Sequence, residues 1–351
     1  MSGTSLDGLD IAFCELAPAN GQWNYKVKKA TTITYPDDLV ESLQCATKMS
    51  GLELKQLDIV LGNFFADQIG NFVKQHRLTP QVISSHGHTI FHQPELSLTQ
   101  QIGDPSIIHA KTGLPVIADF RSLDVAKGGD GAPLVPIGDQ LLFGEYDACL
   151  NLGGIANISY RDKSGLRKAF DIVPVNMALN HLANRSGQSF DTDGAIAKSG
   201  QPIKELIAQW SSLDFHSKAP PKSLGFEWFE KFILPGLTGH STSDLMHSYA
   251  LYASTQIANA IKEYMGNGPF KIMVTGGGAY NDFFMHCLRD QASDNQWVIP
   301  ESAIVEYKEA LVFALLGVLR IRNEANILSS ATGASNDSIA GIVLGHPSNI
   351  G

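Results

Sequence analysis

Met1-Ser2-Gly3-Thr4-Ser5-Leu6-Asp7-Gly8-Leu9-Asp10 sets two glycines, three hydroxyls and an acid directly ahead of an apolar strand pattern, Leu9–Cys14, that carries a second acid, Asp10. Glycine lets a backbone approach an anion closely, and successive N–H groups form a nest for phosphate oxygens. The hydroxyls add donors, and Asp7 or Asp10 can hold a hydrated Mg²⁺, which takes carboxylate and water ligands. A polar turn that merely caps a strand fits this stretch equally well. Two later turns bear on the choice. In Asn151-Leu152-Gly153-Gly154-Ile155-Ala156-Asn157, the glycine pair separates the strand patterns Ala148–Leu152 and Ile155–Ser159. It reads as a β-hairpin turn, where glycine is often purely structural. In Val274-Thr275-Gly276-Gly277-Gly278-Ala279-Tyr280-Asn281, three glycines join a strand, Ile272–Val274, to a helix from about Asn281. A flat ligand can lie against such a backbone and meet helix N–H groups, although a flexible loop is the alternative. None of the three is a GxxxxGK[ST] or GxGxxG fingerprint.

Outward from these turns, short apolar runs alternate with helical patterns. Leu57, Leu61, Phe65, Ile69 and Phe72 recur at helical spacing, and Val82-Ile83 and Val116–Ala118 read as strands. Ser243 or Asp244 is a candidate cap for a helix carrying Leu245, Tyr249, Ala253, Ile257 and Ile261, and Ala310–Arg320 is another apolar helix. Strands mixed with helices in this order predict an α/β protein. At ~150 residues per domain, the 351-residue chain predicts two domains. Gly144-Glu145-Tyr146-Asp147 separates two patterned regions, which gives 1–145, with the C-terminal segment free to return to it, and 146–351. A net charge of −9 argues against a nucleic-acid binder. Four scattered cysteines suggest neither a zinc site nor a disulfide scaffold, and no run nears ~18 apolar residues. The expectation is a cytoplasmic protein with no membrane partner.

One glycine turn near the start, one in mid-chain and one late follow the order of the actin-like ATPase fold, a duplicated ribonuclease-H-like architecture with its nucleotide in the interdomain cleft. The residues become more specific than that. MSGTSLDG, SHGHT, QIGDP, ADFR, GGDGAPLVP, LNLGGIAN, FD..P.N, FDTDGAIAKSG, PKS.G.E and TGGGAYN occur in one order, with an acid in KEALVFA. Together they resemble the anhydro-N-acetylmuramic acid kinase family over nearly the whole chain.

The resemblance implies an ATP-dependent phosphotransferase. It would convert 1,6-anhydro-N-acetylmuramic acid and water to N-acetylmuramic acid 6-phosphate during peptidoglycan recycling, with ATP and Mg²⁺ as cofactors and a possible homodimer. Water must lose a proton as it attacks the anomeric carbon, and a carboxylate is the simplest base. The family motif places that base at Asp171, with Glu309 positioning substrate or water or, alternatively, serving only as a helix N-terminal acid. The implied ATP-binding residues are Gly3, Thr4, Ser5, Leu6, Asp7, Gly8, Leu9, Asp10, Gly153, Gly154, Asn157, Gly276, Gly277 and Gly278, with Asp7 and Asp10 as Mg²⁺ candidates through water. Sugar recognition falls to His86, Asp119, Arg121, Gly131 and Asn176. Arg121 can meet a lactyl carboxylate bidentately or form an interdomain salt bridge. His86, His88 and His92 invite a metal reading, but the family element favours a hydrogen-bonding loop.

Two features depart from the pattern. Ile172, Val173 and Val175 stand where the motif carries glycines, which predicts a differently shaped loop beside Asp171. A kinase of another amino sugar or anhydrosugar is therefore kept as an alternative. The first phosphate turn of this fold also joins two antiparallel strands, so roughly six to ten further residues are expected ahead of Met1, enough for one strand. A non-catalytic, nucleotide-responsive sugar-binding protein is the third reading.

Overall fold

The structure, a computed structural model, describes residues 1–3, 6–19 and 21–346. The chain forms two compact units, one of Met1–Leu142 with Tyr307–Gly351 and the other of Phe143–Glu306. Among the described residues, no helix is long and apolar enough to cross a membrane.

The first unit opens with two long antiparallel strands, β1 (Leu9–Ala19) and β2 (Gln22–Ile33), with a register shift between Phe13 and Cys14. β3 (Ile83–Ser84), β4 (His88–Gln93), β5 (Leu98–Ile102) and β6 (Val116–Ala118) follow. β4 pairs antiparallel with β5, and β3 pairs parallel with β6. Ser2 bridges antiparallel to Leu9 and parallel to His88, which ties the first turn to both β1 and β4. The helix Gly51–His76 carries the expected apolar spacing. Leu54, Leu57, Leu61, Phe65 and Phe72 are buried, and Ser50 and Glu53 form a capping box at its start.

The second unit holds β7 (Ala148–Leu152), β8 (Ile155–Arg161), β9 (Arg167–Pro174), β10 (Lys271–Thr275) and β11 (Gln296–Val298), in the order β11-β10-β7-β8-β9. β7, β8 and β9 are an antiparallel meander, and β10 and β11 run parallel to β7. Three antiparallel strands flanked by two parallel ones form a ribonuclease-H-like sheet. Leu150, Leu152, Ile158, Phe170 and Ile172 bury one face, against the helix Thr242–Met265 and its neighbours. That helix is capped by Ser241 rather than Ser243 or Asp244. Ser241 Oγ accepts the Asp244 N–H at 3.1 Å, while the Asp244 carboxylate accepts the Gln201 N–H at 2.7 Å. The helix expected at Ala310–Arg320 runs from Ser302 to Ile321, with non-helical geometry at Tyr307, where the chain passes back to the first unit. β12 (Ile342–Leu344) then pairs antiparallel with β6.

The returning segment is fastened by a buried carboxylate. Asp124 accepts the Gly131 N–H and the Thr332 hydroxyl, each at 2.8 Å. Asp124→Ala would leave the Gly131 N–H without its acceptor and the Thr332 hydroxyl with only the long 3.4 Å contact to the Leu328 carbonyl, and it is expected to lower unfolding stability by about 3 kcal/mol in a denaturant titration.

Candidate active site

In the second unit, the sheet register gathers the candidate residues. Thr275 lies opposite Asn151, Asn151 opposite Asn157, and Asn157 opposite Asp171. Opposed residues in a sheet share a face, so four polar residues form one row across β10, β7, β8 and β9. A register shift between Ala156 and Asn157 borders the row, since Asn157 faces Asp171 while Ala156 faces Val173. Bulges of this kind commonly re-aim a side chain at a functional site. Asp171 therefore stands on a strand, not in a loop, and the branched residues beside it are core. Ile172, Val173 and Val175 are almost wholly buried, with none at positive φ. Burial pushes the Asp171 carboxyl up to about 6, opposed by the Leu224 N–H, which donates to its Oδ2 at 2.9 Å.

The second and third turns meet. The Gly154 carbonyl accepts the N–H groups of Val175 and Met177, and the Gly153 carbonyl accepts that of Asn176. Asn176 opens a helix, Asn176–Asn184, and its Nδ2 donates to the Leu152 carbonyl at 2.9 Å. Gly276 has φ +81°, and a Cβ there would lie 2.7 Å from Asn151 Oδ1 and 2.8 Å from the Leu152 carbonyl. A Cβ at Gly277 would meet only Asn176 Nδ2, at 3.6 Å. Gly276 is thus required by the fold, whereas the space over Gly277 is open. The triple glycine does not enter a helix directly. Gly277–Tyr280 makes a tight turn, and Asn281 caps Asp282–Gln291 by accepting the Phe284 N–H.

In the first unit, Thr4 and Ser5 lie outside the described residues. Gly3 O accepts the Leu6 N–H at 3.2 Å, and Leu6 has φ 59°. Gly8 packs so closely that a Cβ would lie 2.5 Å from the Ile33 carbonyl. Leu9 is buried core, so it can offer a ligand only its backbone. Asp7 is exposed, and Asp10 is half-buried and accepts the Thr32 hydroxyl at 2.6 Å. Thr32 also lies 3.4 Å from the Tyr307 hydroxyl, beside the helix break.

Arg121 is held rather than free. Its Nε and one terminal nitrogen reach His86 Nε2 at 3.2 and 2.9 Å, and its other terminal nitrogen donates to the Gly131 carbonyl at 2.6 Å. Burial lowers its pKa to about 10, with Glu309 and Asp124 pulling the other way. Burial and then the adjacent guanidinium hold His86 neutral, consistent with its Nε2 as acceptor. Asp119 adopts φ 58° and accepts the Ser122 N–H, which shapes the turn before Arg121. Gly131 has φ +66°, and a Cβ there would press on Val125. The surrounding protein pushes the Glu309 carboxyl up, opposed by Arg121 and Lys308, although its side chain keeps access to solvent. Lys308 is buried in an ion pair with Asp139 at 2.7 Å. The three histidines have separate partners. His86 meets Arg121, His88 meets Ser2 at 2.7 Å, and His92 meets Thr99 at 3.2 Å.

Asn151 and Thr275 were not among the sequence candidates, although both sit inside the quoted turns. Only the four-strand register reveals them. These features define an α/β protein with a polar row at a strand edge beside paired glycine turns. The family model described as anhydro-N-acetylmuramic acid kinase matches residues 1–346. An anhydro-N-acetylmuramic acid kinase of Aliivibrio fischeri is 33% identical over 371 residues, which cover 99% of this chain and 98% of that protein. One of Sulfurimonas denitrificans is 32% identical, covering 98% and 97%. The chain belongs to the anhydro-N-acetylmuramic acid kinase family. Among solved structures, an activator of the 2-hydroxyisocaproyl-CoA dehydratase from Clostridium difficile with bound ADPNP aligns over 86% of this chain and 92% of its own, at TM-score 0.39 and 10% identity.

The glycine geometry separates two substitutions. Gly276→Ala should cost about 2 kcal/mol of stability, through positive φ and the collision with the Leu152 carbonyl. Gly277→Val should leave the fold intact, seen by circular dichroism, while weakening ATP binding in calorimetry at least tenfold.

Proposed function

We propose that this chain is an ATP-dependent kinase that converts 1,6-anhydro-N-acetylmuramic acid and water to N-acetylmuramic acid 6-phosphate in cell-wall recycling. The observation that carries the reading is Asp171, set on a strand in a row of neutral polar groups with its carboxyl pushed up to about 6. Such a carboxylate is ionised at neutral pH, yet basic enough to take a proton from water.

In this reading, Asp171 removes one proton from water as the water oxygen bonds to the anomeric carbon. The bond from that carbon to O6 breaks, and O6 bonds to the γ-phosphorus as ADP leaves. Arg121, held by His86 and Gly131, has N–H groups left over for the sugar's lactyl carboxylate. Glu309 faces the same guanidinium electrostatically and can accept a sugar or water hydrogen. The backbone of Gly3–Asp10 and of the two later turns serves the nucleotide. Asp7 and Asp10 offer hard oxygen donors suited to a hydrated Mg²⁺. That ion would neutralise phosphate charge.

The branched core residues at 172, 173 and 175 weigh against a remodelled substrate loop, because they occupy the strand and its buried flank. ADP release should therefore require 1,6-anhydro-N-acetylmuramic acid, and mass spectrometry should find the 6-phosphate. Turnover of another amino sugar but not this one would overturn the substrate, and nucleotide binding without turnover would overturn the enzyme.

Asp171→Asn keeps size and can still accept the Leu224 N–H, but it cannot take a proton. Turnover should fall at least ~100-fold with ATP affinity retained. In the wild type, kcat should drop about tenfold per pH unit below about 6, as the base becomes protonated. Stability moves oppositely. A carboxyl raised from 3.8 to about 6 in the folded state contributes stability that is fully present below 3.8 and is lost as pH rises through 6. Asp171→Asn should accordingly be the more stable protein at pH 7, by about 3 kcal/mol, with the difference vanishing below pH 3.8.

A further inference from the structure

Pro221-Lys222-Ser223, followed by Gly225 and Glu227, is part of the pattern shared with the family but has no role in the chemistry above. This segment runs along the open edge of β9, the last strand of its sheet. The Asp171 N–H donates to the Lys222 carbonyl at 3.1 Å. The Leu224 N–H donates back to Asp171 Oδ2 at 2.9 Å. The two contacts bracket one residue, through its backbone and its side chain.

The segment is itself fastened. Lys222 Nζ donates to the carbonyls of Phe215 and His216, each at 3.3 Å. It also sits 4.9 Å from the centre of the Phe215 ring and 5.6 Å from that of Phe170, the residue before Asp171. The ammonium is thus held by two carbonyls and two rings. Among the described residues, Oδ1 of Asp171 receives no hydrogen bond.

We propose that Pro221–Gly225 is a strap that aims the base, with the Leu224 amide as the positioning group that pins Oδ2 and leaves Oδ1 to the water. The proposal rests on Asp171 being the base. An unpinned carboxylate rotates about its last bond and loses the near-attack geometry. An N–H donated to the ionised form also keeps the group ionised to lower pH. The other groups around Asp171 do neither. Asn157, opposite on β8, is neutral, and the Lys222 charge is committed to carbonyls and rings, with Glu263 acting on Lys222. Burial and the Leu224 N–H are what set the protonation of Asp171.

Leu224→Pro removes that one N–H. An ester at position 224, with leucic acid in place of leucine, removes it while keeping the side chain, and it decides the matter if the proline variant does not fold. With either change, kcat should fall about tenfold at pH 7 with KM for ATP unchanged, and the acidic limb of the kcat profile should move up by about one pH unit. A folded variant with wild-type kcat and an unmoved limb overturns the strap. So does a variant slowed equally at every pH, because that marks a merely structural segment. Asp171→Asn is measured alongside. If it retains turnover, the base reading itself fails, whatever the strap variants do.

Discussion

Directly opposed residues in a pleated sheet point to one face, and the pairing of β7, β8 and β9 is the constraint on which the candidate site of the second unit depends. With Asn151, Asn157 and Asp171 in register, the polar row is continuous while Leu150, Ile158 and Phe170 fill the core. A slip of one residue would exchange the two sets, placing a carboxylate in hydrocarbon and phenylalanine at the edge. The apolar burial thereby enforces the placement of the polar row. The shift falls just past the Asn157–Asp171 pair, so that Val173 rather than Ile172 lies opposite Ala156.

The first unit uses a different device. Arg121 is half-buried, and three of its five donors are engaged by a neutral histidine and a glycine carbonyl. Gly131 belongs at once to Arg121, through its carbonyl, and to Asp124, through its N–H. Asp124 also takes the Thr332 hydroxyl, which lies more than two hundred residues later in the chain. Such webs are costly when one member is missing, so they hold a guanidinium in one place. Similarly, the buried Lys308–Asp139 pair anchors the turn of helix just before Glu309, next to the break at Tyr307. Truncating one partner of such a pair leaves an uncompensated charge, which makes that turn hard to move.

Much of the architecture was legible from the residues. Ala148–Leu152 and Val116–Ala118 form strands with the expected bounds, because short apolar runs between turn residues leave little else to do. The long helix over Leu57–Phe72 followed from its spacing. The strand carrying Asp171 was not legible. Arg167-Lys168-Ala169-Phe170-Asp171 has no clean alternation, and its glycine-free continuation suggested a distorted loop. The tertiary answer is that Ile172 and Val173 are core residues whose branching suits a strand. Capping at Ser241 instead of Ser243 was missed for a similar reason, because Asp244 is engaged by Gln201, forty-three residues earlier in the chain.

The sequence by itself determined the glycine turns, their order, and the identity of the acids and the arginine. Those depend on local backbone freedom and on side-chain chemistry, which travel with the residue. Tertiary structure alone decided that Gly276 is sterically obligatory while Gly277 is open, that Asn151 and Thr275 join the row of Asp171, and that the Leu224 amide reaches its carboxylate. Each of these is a contact between segments distant in sequence. Its distance is set by packing, and no local pattern of residues encodes it.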